Sequence, residues 1–329
     1  MFRGRASRAL TLIVSCAVLS LGSLWAVRFA QARGKPIVEG TANGDEATAT
    51  AALSTPAQRG ALPASTLPSV QSERVLAVTK PSEPTRPLRV LLVGNSYTLH
   101  HNLHQMLERV AKGVEGGPSL SADAHARGGY SLRNHLRTGV ALQRIRAGHY
   151  THVVLQGHSL SAVDHPSELA EDGERFKQAI DAAAGRTVFY ATWARSPEVS
   201  LYRTHKQVHS FADMSTRVST AYFALSSRLG AALAPVGSAF ERALVTHPKL
   251  SLWGSDGSHP SLAGSYMAAC ILYGAISGRD PSTTKYVPNG LKDADARLVR
   301  EVALETLGSR SSGSTVTEAA ASVSGPGPT

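Results

Sequence analysis

The sequence predicts an α/β fold, a parallel sheet with helices on both of its faces. Two observations predict it. Strand-like and helix-like segments alternate from residue 88 to residue 278, the pattern of a sheet built from crossover units. The strongest strand segments are also apolar throughout rather than alternating, as strands buried on both faces are. In open sheets of this kind, ligands bind beyond the carboxyl ends of the strands. The residues that follow each strand are therefore the first place to look for chemistry.

The elements follow in order. LRVLLVG (88–94) is a continuous apolar run and the first strand. NLHQMLERVAKGV (102–114) is a helix, with apolar residues at 103, 106, 107, 110, 111 and 114 at helical spacing. LSADAHA (120–126) is a weaker strand, and SLRNHLRTGVALQRIRAG (131–148) a helix interrupted near Gly139. THVVLQG (151–157) is a second buried-type strand. ELAEDGERFKQAIDAAAG (168–185) is an amphipathic helix that Gly185 closes as a cap. RTVFYATWA (186–194) is a third strong strand, 204–229 one long helical stretch, AALAPVG (231–237) a short strand and SAFERALVTH (238–247) a helix. PSLAGSYMAACILYGAISG (260–278) is the last strong helix, with Pro260 in its first turn. No internal repeat is visible.

The flanks have a different character. In residues 1–33 a basic start (Arg3, Arg5, Arg8) precedes an apolar run over 9–27, and AQA at 30–32 fits a small-x-small cleavage site. This predicts a signal peptide, or an N-terminal membrane anchor if it is not cut; a lipoprotein reading rests on Cys16 in IVSC. Each of these places the body of the protein outside the cytoplasm, and any membrane contact is through that uncleaved segment alone. Residues 34–87 read as a disordered linker rich in Ala, Ser, Thr and Pro, with no apolar periodicity to offset the entropy of ordering. Residues 308–329 read the same way. The domain is then 88–307, the size of one α/β unit.

Charge and cysteines narrow the classes. The formal charge is +10, and +6 once the four arginines of the leader (Arg3, Arg5, Arg8, Arg28) are removed. The remaining basic residues are scattered among acids, with no basic block interleaved with aromatics, so nucleic acid is not a predicted partner. The mildly basic balance suits anionic envelope polymers. Cys16 and Cys270 are the two cysteines. Without Cys16 the chain can form no internal disulfide and no cysteine-based zinc site, and Cys270, in an apolar helix, reads as a buried inert thiol.

The candidate chemistry starts at Ser96. It directly follows the first strand, in VGNSYT (93–98), where a turn or helix-cap serine is also expected. A nucleophilic serine needs a base within reach and a third group to orient that base. DGSHPS (256–261) offers both: Asp256 and His259 are three apart in a Gly/Ser-rich loop before a helix. That spacing lets the carboxylate turn back onto Nδ1 and leaves Nε2 to face a hydroxyl elsewhere. An Asx turn with a surface histidine is the other reading of the same loop.

These two segments resemble the first and last blocks of the SGNH (GDSL-type) hydrolases, with Asn95 where Asp is more usual. ARGGYSL (126–132) resembles the second block, and VVLQGHS (153–159) holds the place of the third. The order matches along roughly 88–278. The resemblance implies a flavodoxin-like three-layer α/β/α sandwich and serine-dependent ester hydrolysis without metal or organic cofactor. It makes Ser96 the nucleophile, His259 the base and Asp256 its orienting carboxylate. The oxyanion hole is implied to comprise the N–H groups of Ser96 and Gly129, with Gly128 as the alternative glycine. The usual third block is Gly-x-Asn-Asp, whose Asn amide completes that hole. LQGHS has no Asn and is similar to the Gln-Gly-Glu version of some carbohydrate-esterase relatives. Gln156 is therefore expected to supply the amide, and His158 is the alternative.

Other residues at the rim have two readings each. His135 and Trp193 are candidate substrate contacts, Trp193 through stacking on a sugar ring or else as packing, with Arg195 beside it. Tyr97 reads as packing, and His100, His101 and His104 as a polar helix face rather than a metal cluster. The predicted substrate is a small-molecule or polysaccharide ester, and the predicted reaction removal of a short acyl group such as acetyl from a carbohydrate. The rival classes are a lipid esterase or lysophospholipase and a non-catalytic carbohydrate-binding relative.

Overall fold

The computed structural model describes residues 86–318, with side chains through residue 308. The predicted signal or anchor segment, most of the linker and the end of the tail lie outside the described residues. Five parallel strands form one sheet: β1 (Leu88–Gly94), β2 (Leu120–Ala126), β3 (His152–Leu155), β4 (Arg186–Tyr190) and β5 (Ala232–Ala234). Their order is β2-β1-β3-β4-β5, the flavodoxin-like order, with its switch point between β1 and β3.

The helices are α1 (Ser96–Leu99), α2 (Leu103–Gly113), α3 (Leu132–Thr138), α4 (Val140–Ala147), α5 (Ser161–Asp164), α6 (Pro166–Ala182), α7 (Leu201–Thr204), α8 (Phe211–Leu229), α9 (Val236–Thr246), α10 (Leu262–Ser277) and α11 (Asp293–Glu318). The central strand explains the layering. Residues 90–93 of β1 are all fully buried, and their side chains alternate between two cores. Val90 and Leu92 pack with α2, α9, α10 and α11, whereas Leu91 and Val93 pack with the core under α4, α6 and α8. This double burial is why β1 reads as an unbroken apolar run.

Several boundaries differ from expectation, five of them for a clear local reason. Gly139 (φ 72°) separates α3 from α4 completely. At the end of α6 the left-handed residue is Ala184 (φ 57°), not Gly185, whose N–H instead closes the helix onto Ile180 O. The stretch 204–229 is not one helix: His205 is extended, and Ser210 starts α8 by accepting a hydrogen bond from Asp213 N. Pro260 precedes the cap of α10 rather than entering its first turn, since Ser261 Oγ accepts from Gly264 N. Finally, α11 runs to Glu318, past the boundary expected at 307. Its start is anchored by buried Ala296, Val299, Val302 and Ala303, and extending a nucleated helix costs little per residue.

α10 shows why α11 is needed. Residues 263–274 of α10 are all buried, so this helix has no polar face for water. It lies against the sheet with α2, α9 and α11 around it. Among the described residues no helix is long and apolar enough to cross a membrane.

Candidate active site

The carboxyl ends of β1 and β3 bring the site together. β1 ends at Gly94, Asn95 caps α1, and Ser96 is the first residue of that one-turn helix. A side chain at position 94 would sit 2.3 Å from Thr98 Oγ1 and 2.6 Å from Gln156 Oε1. Only glycine allows the strand, α1 and the β3 end to approach so closely.

Ser96 Oγ lies 2.9 Å from His259 Nε2, and His259 Nδ1 lies 2.5 Å from Asp256 Oδ2. The carboxylate accepts from Nδ1–H, so Nε2 is the nitrogen left to accept from the serine hydroxyl. Asp256 also makes the Asx turn of the loop, because Oδ1 accepts from Ser258 N and His259 N, both at 2.9 Å. The two readings of this loop hold together: one oxygen shapes the loop and the other meets the imidazole. Burial pushes the Asp256 carboxyl up, but the hydrogen bonds from the His259 ring and the two N–H groups outweigh it and hold its pKa down at about 2. The site is open, with the His259 side chain 33% exposed and that of Asp256 50% exposed.

Beneath the loop is an aromatic stack. Tyr97 lies parallel to Trp193 (4.6 Å, 7°), and Trp193 parallel to Phe240 (4.3 Å, 4°). Tyr97 Oη is 2.8 Å from Ser258 Oγ, and Trp193 Nε1 donates to Ser258 O. The stack therefore supports the residue beside His259. Trp193 is buried, with both faces and its N–H occupied, so it is not a platform for a sugar ring. His135 is also corrected from a substrate contact. It is buried, and its Nε2–H donates to Gly94 O at 2.7 Å, tying α3 to the end of β1. Arg195 is half-buried on the loop after β4, and Ser196 N beside it donates to Gly257 O.

Gln156 lies at the strand end beside Asn95 as expected, but its amide has other partners than an oxyanion. It is fully buried, and its Nε2 donates to Asn95 Oδ1 and Gly157 O while its Oε1 accepts from Asn95 N and Thr98 Oγ1. Both amide hydrogens are engaged, so none is left to meet an oxyanion. Asn95 answers it. Its Nδ2 donates to Tyr130 O and Gly157 O, and its Oδ1 also accepts from Tyr97 N. An aspartate there could not donate to those two carbonyls. The departures from the first and third family blocks are thus one feature, an amide clasp between β1 and β3.

The clasp also reaches the glycine loop through Tyr130 O. That loop closes with Tyr130 N on Arg127 O and is joined to the strand end by Arg127 N on Gly94 O. Gly129 takes φ 74°, and neither Gly128 nor Gly129 has an atom within 4 Å of where a Cβ would stand. His158 is half-buried, and its Nδ1 accepts weakly from Leu160 N at 3.4 Å. Burial, then the Arg195 charge, pushes its pKa down, which keeps it neutral with the proton on Nε2.

The histidines after Ser96 were read as a polar helix face, and the structure gives two of them definite partners. His100 stacks on His259 (4.5 Å, 23°), and His101 Nδ1 lies 2.8 Å from Ser265 Oγ. His101 and Asn102 are consecutive left-handed residues (φ 51° and 50°), a conformation that costs about 1 kcal/mol or more each. The missed signal was spacing: position 100 is one helical turn beyond Ser96, on the same side of α1.

The fold is shared with solved structures. A protein from Slackia heliotrinireducens assigned to the SGNH hydrolases is 29% identical, with a TM-score of 0.51 over 58% of this chain and 100% of that one. The described domain has the fold of the SGNH-type hydrolases. A DUF4886 family protein from Bacteroides uniformis shares the fold at 16% identity, with a TM-score of 0.53 over 67% of this chain and 95% of that one. No protein-family model and no curated protein matches the sequence.

Proposed function

We propose that the SGNH domain is an extracytoplasmic serine esterase that removes a short acyl group, such as acetyl, from a carbohydrate. The observation that carries this reading is the continuous chain Ser96 Oγ, His259 Nε2, His259 Nδ1, Asp256 Oδ2, with links of 2.9 and 2.5 Å. Ser96 Oγ attacks the ester carbonyl carbon as its proton passes to His259 Nε2. The tetrahedral intermediate collapses, and the leaving alkoxide takes that proton. A water then attacks the acyl-serine, giving its proton to His259, which passes it to Ser96 Oγ as the carboxylic acid leaves. Asp256 keeps the imidazole oriented and stabilises its cationic form.

The oxyanion is met by the Ser96 N–H, which α1 does not use as its first residue, and by the Gly129 N–H. With the Gln156 amide engaged, His158 Nε2–H is the side-chain donor. The open setting of the triad suits a bulky polar acceptor carrying a small acyl group, and this supports a carbohydrate ester over a long-chain lipid. The export segment expected from residues 1–33 supports the location.

Labelling by a fluorophosphonate probe and turnover of acetylated sugars and p-nitrophenyl esters of graded chain length test the reading. Ser96→Ala should abolish labelling and lower turnover by at least ~10⁴-fold, with His259→Ala nearly as damaging and Asp256→Asn less so. Labelling that survives Ser96→Ala would sink it, and a preference for long acyl chains would favour the lipid reading. His158→Ala should lower kcat by ~10²-fold with little change in KM. Should His158→Ala keep full kcat, the side-chain donor is assigned wrongly.

A further inference from the structure

We propose that His100 is a positioning residue for His259: its ring, stacked on the imidazole, holds that imidazole in line between Asp256 and Ser96. The inference rests on the reading of His259 as the base. Asp256 and Ser96 hold His259 at its two nitrogens, both within the ring plane, so neither bond covers a face of the ring. Tyr97 meets the ring edge-on at 5.4 Å and 76°. His100 covers a face, at 4.5 Å and 23°. On a loop where the base is a third exposed, that cover limits both ring tilt and the access of water to the Asp256 bond.

The backbone is built to hold His100 there. Its N–H donates to Ser96 O, so the residue that stacks on the base also grips the residue of the nucleophile. The next two residues, His101 and Asn102, are left-handed without being glycine. His101 is tied to α10 through Ser265 Oγ, and Leu103 is buried at the start of α2. A strained turn pinned on both sides persists where the geometry it enforces is used.

The electrostatics fit a neutral ring. The groups that face His100 are His259 and Asp256 from the C-terminal loop and His101 from its own turn. Burial, then His259, then His101, push its pKa down against the opposing pull of Asp256. A neutral aromatic face attracts the imidazolium that forms as His259 takes the serine proton. A protonated His100 would repel it.

The test compares His100→Ala with His100→Phe, which keeps a flat ring, using p-nitrophenyl acetate turnover and the proton NMR signal of His259 Nδ1–H. His100→Ala should lower kcat by ~10-fold with KM within ~2-fold, because a misplaced base costs rate rather than binding. His100→Phe should recover most of the loss. The deshielded Nδ1–H signal should broaden by exchange in His100→Ala and persist in His100→Phe. Full kcat in His100→Ala, equal losses in both variants, a change in KM alone, or an unaltered Nδ1–H signal in His100→Ala would each overturn the proposal. If the wild-type protein turned over no ester, the esterase reading would fail, and the NMR comparison would still decide the role of His100.

Discussion

The amide pair Asn95 and Gln156 shows how a single side-chain choice at each of two strand ends can set a site. Each amide donates twice and each accepts, and all partners lie among the ends of β1 and β3, α1 and the glycine loop. Asn95→Asp would turn a carboxylate oxygen toward Tyr130 O and Gly157 O, leaving a buried charge facing two acceptors. We expect a loss of about 2–4 kcal/mol in urea unfolding, or a carboxyl that stays protonated when buried. Gln156→Ala should lose stability on a similar scale, since it strands Asn95 N–H and Thr98 Oγ1. In a double-mutant cycle, Asn95→Ala and Gln156→Ala should be strongly non-additive. Additive losses would mean that the two amides act separately. From sequence alone Gln156 was a reasonable oxyanion donor, because its chemistry was right. Sequence could not show that both of its hydrogens are engaged, since that depends on where Asn95 and Gly157 meet in space.

At the scale of elements, what was legible follows from how each element is buried. β1 and β2 match their expected limits residue for residue, and for β1 the reason is an apolar run bounded by Pro87 and Gly94 that has few alternatives. The Ser96 turn and the Asp256–His259 loop were legible because both motifs are local in sequence. α11 was not foreseen, although DADARLVREVAL (293–304) carries acids in its first turn and buries residues 296, 299, 302 and 303 at helical spacing. Its necessity comes from α10, whose buried surface on every side needs a cover that no local pattern announces. Val302→Asp should therefore place an unpaired carboxylate in the core that α11 shares with α10, costing about 3–5 kcal/mol in thermal or urea unfolding. An unchanged midpoint would mean that α11 is dispensable for the core. The loss should appear in stability first, since Val302 lies away from the β1 and β3 strand ends that carry Ser96.

For the whole molecule, the distribution of histidines makes acid sensitivity the property to measure. His100, His101, His125, His135, His152 and His158 all have pKa values pushed below the usual 6.5, with burial the largest cause in each. The unfolded chain then takes up protons at a higher pH than the folded one does. Stability from these groups is fully present above about pH 6.5 and is lost as pH falls from there through the lowered folded values. Asp256 adds a separate and later loss. Its depressed carboxyl contributes stability above about pH 4 that disappears as pH falls toward about 2. The melting temperature should thus fall between pH 7 and pH 5, before the carboxylates titrate. His135 is the group to remove, because it is buried, its Nδ1 has no hydrogen-bond partner, and its Nε2–H holds Gly94 O at the strand end before Ser96. His135→Gln keeps an amide donor for Gly94 O while deleting the titration, so its melting temperature should depend less steeply on pH over that interval. A slope equal to the wild type's would show that His135 charges as easily in the folded protein as in the unfolded chain. The acid limb would then have to be assigned to the other five histidines.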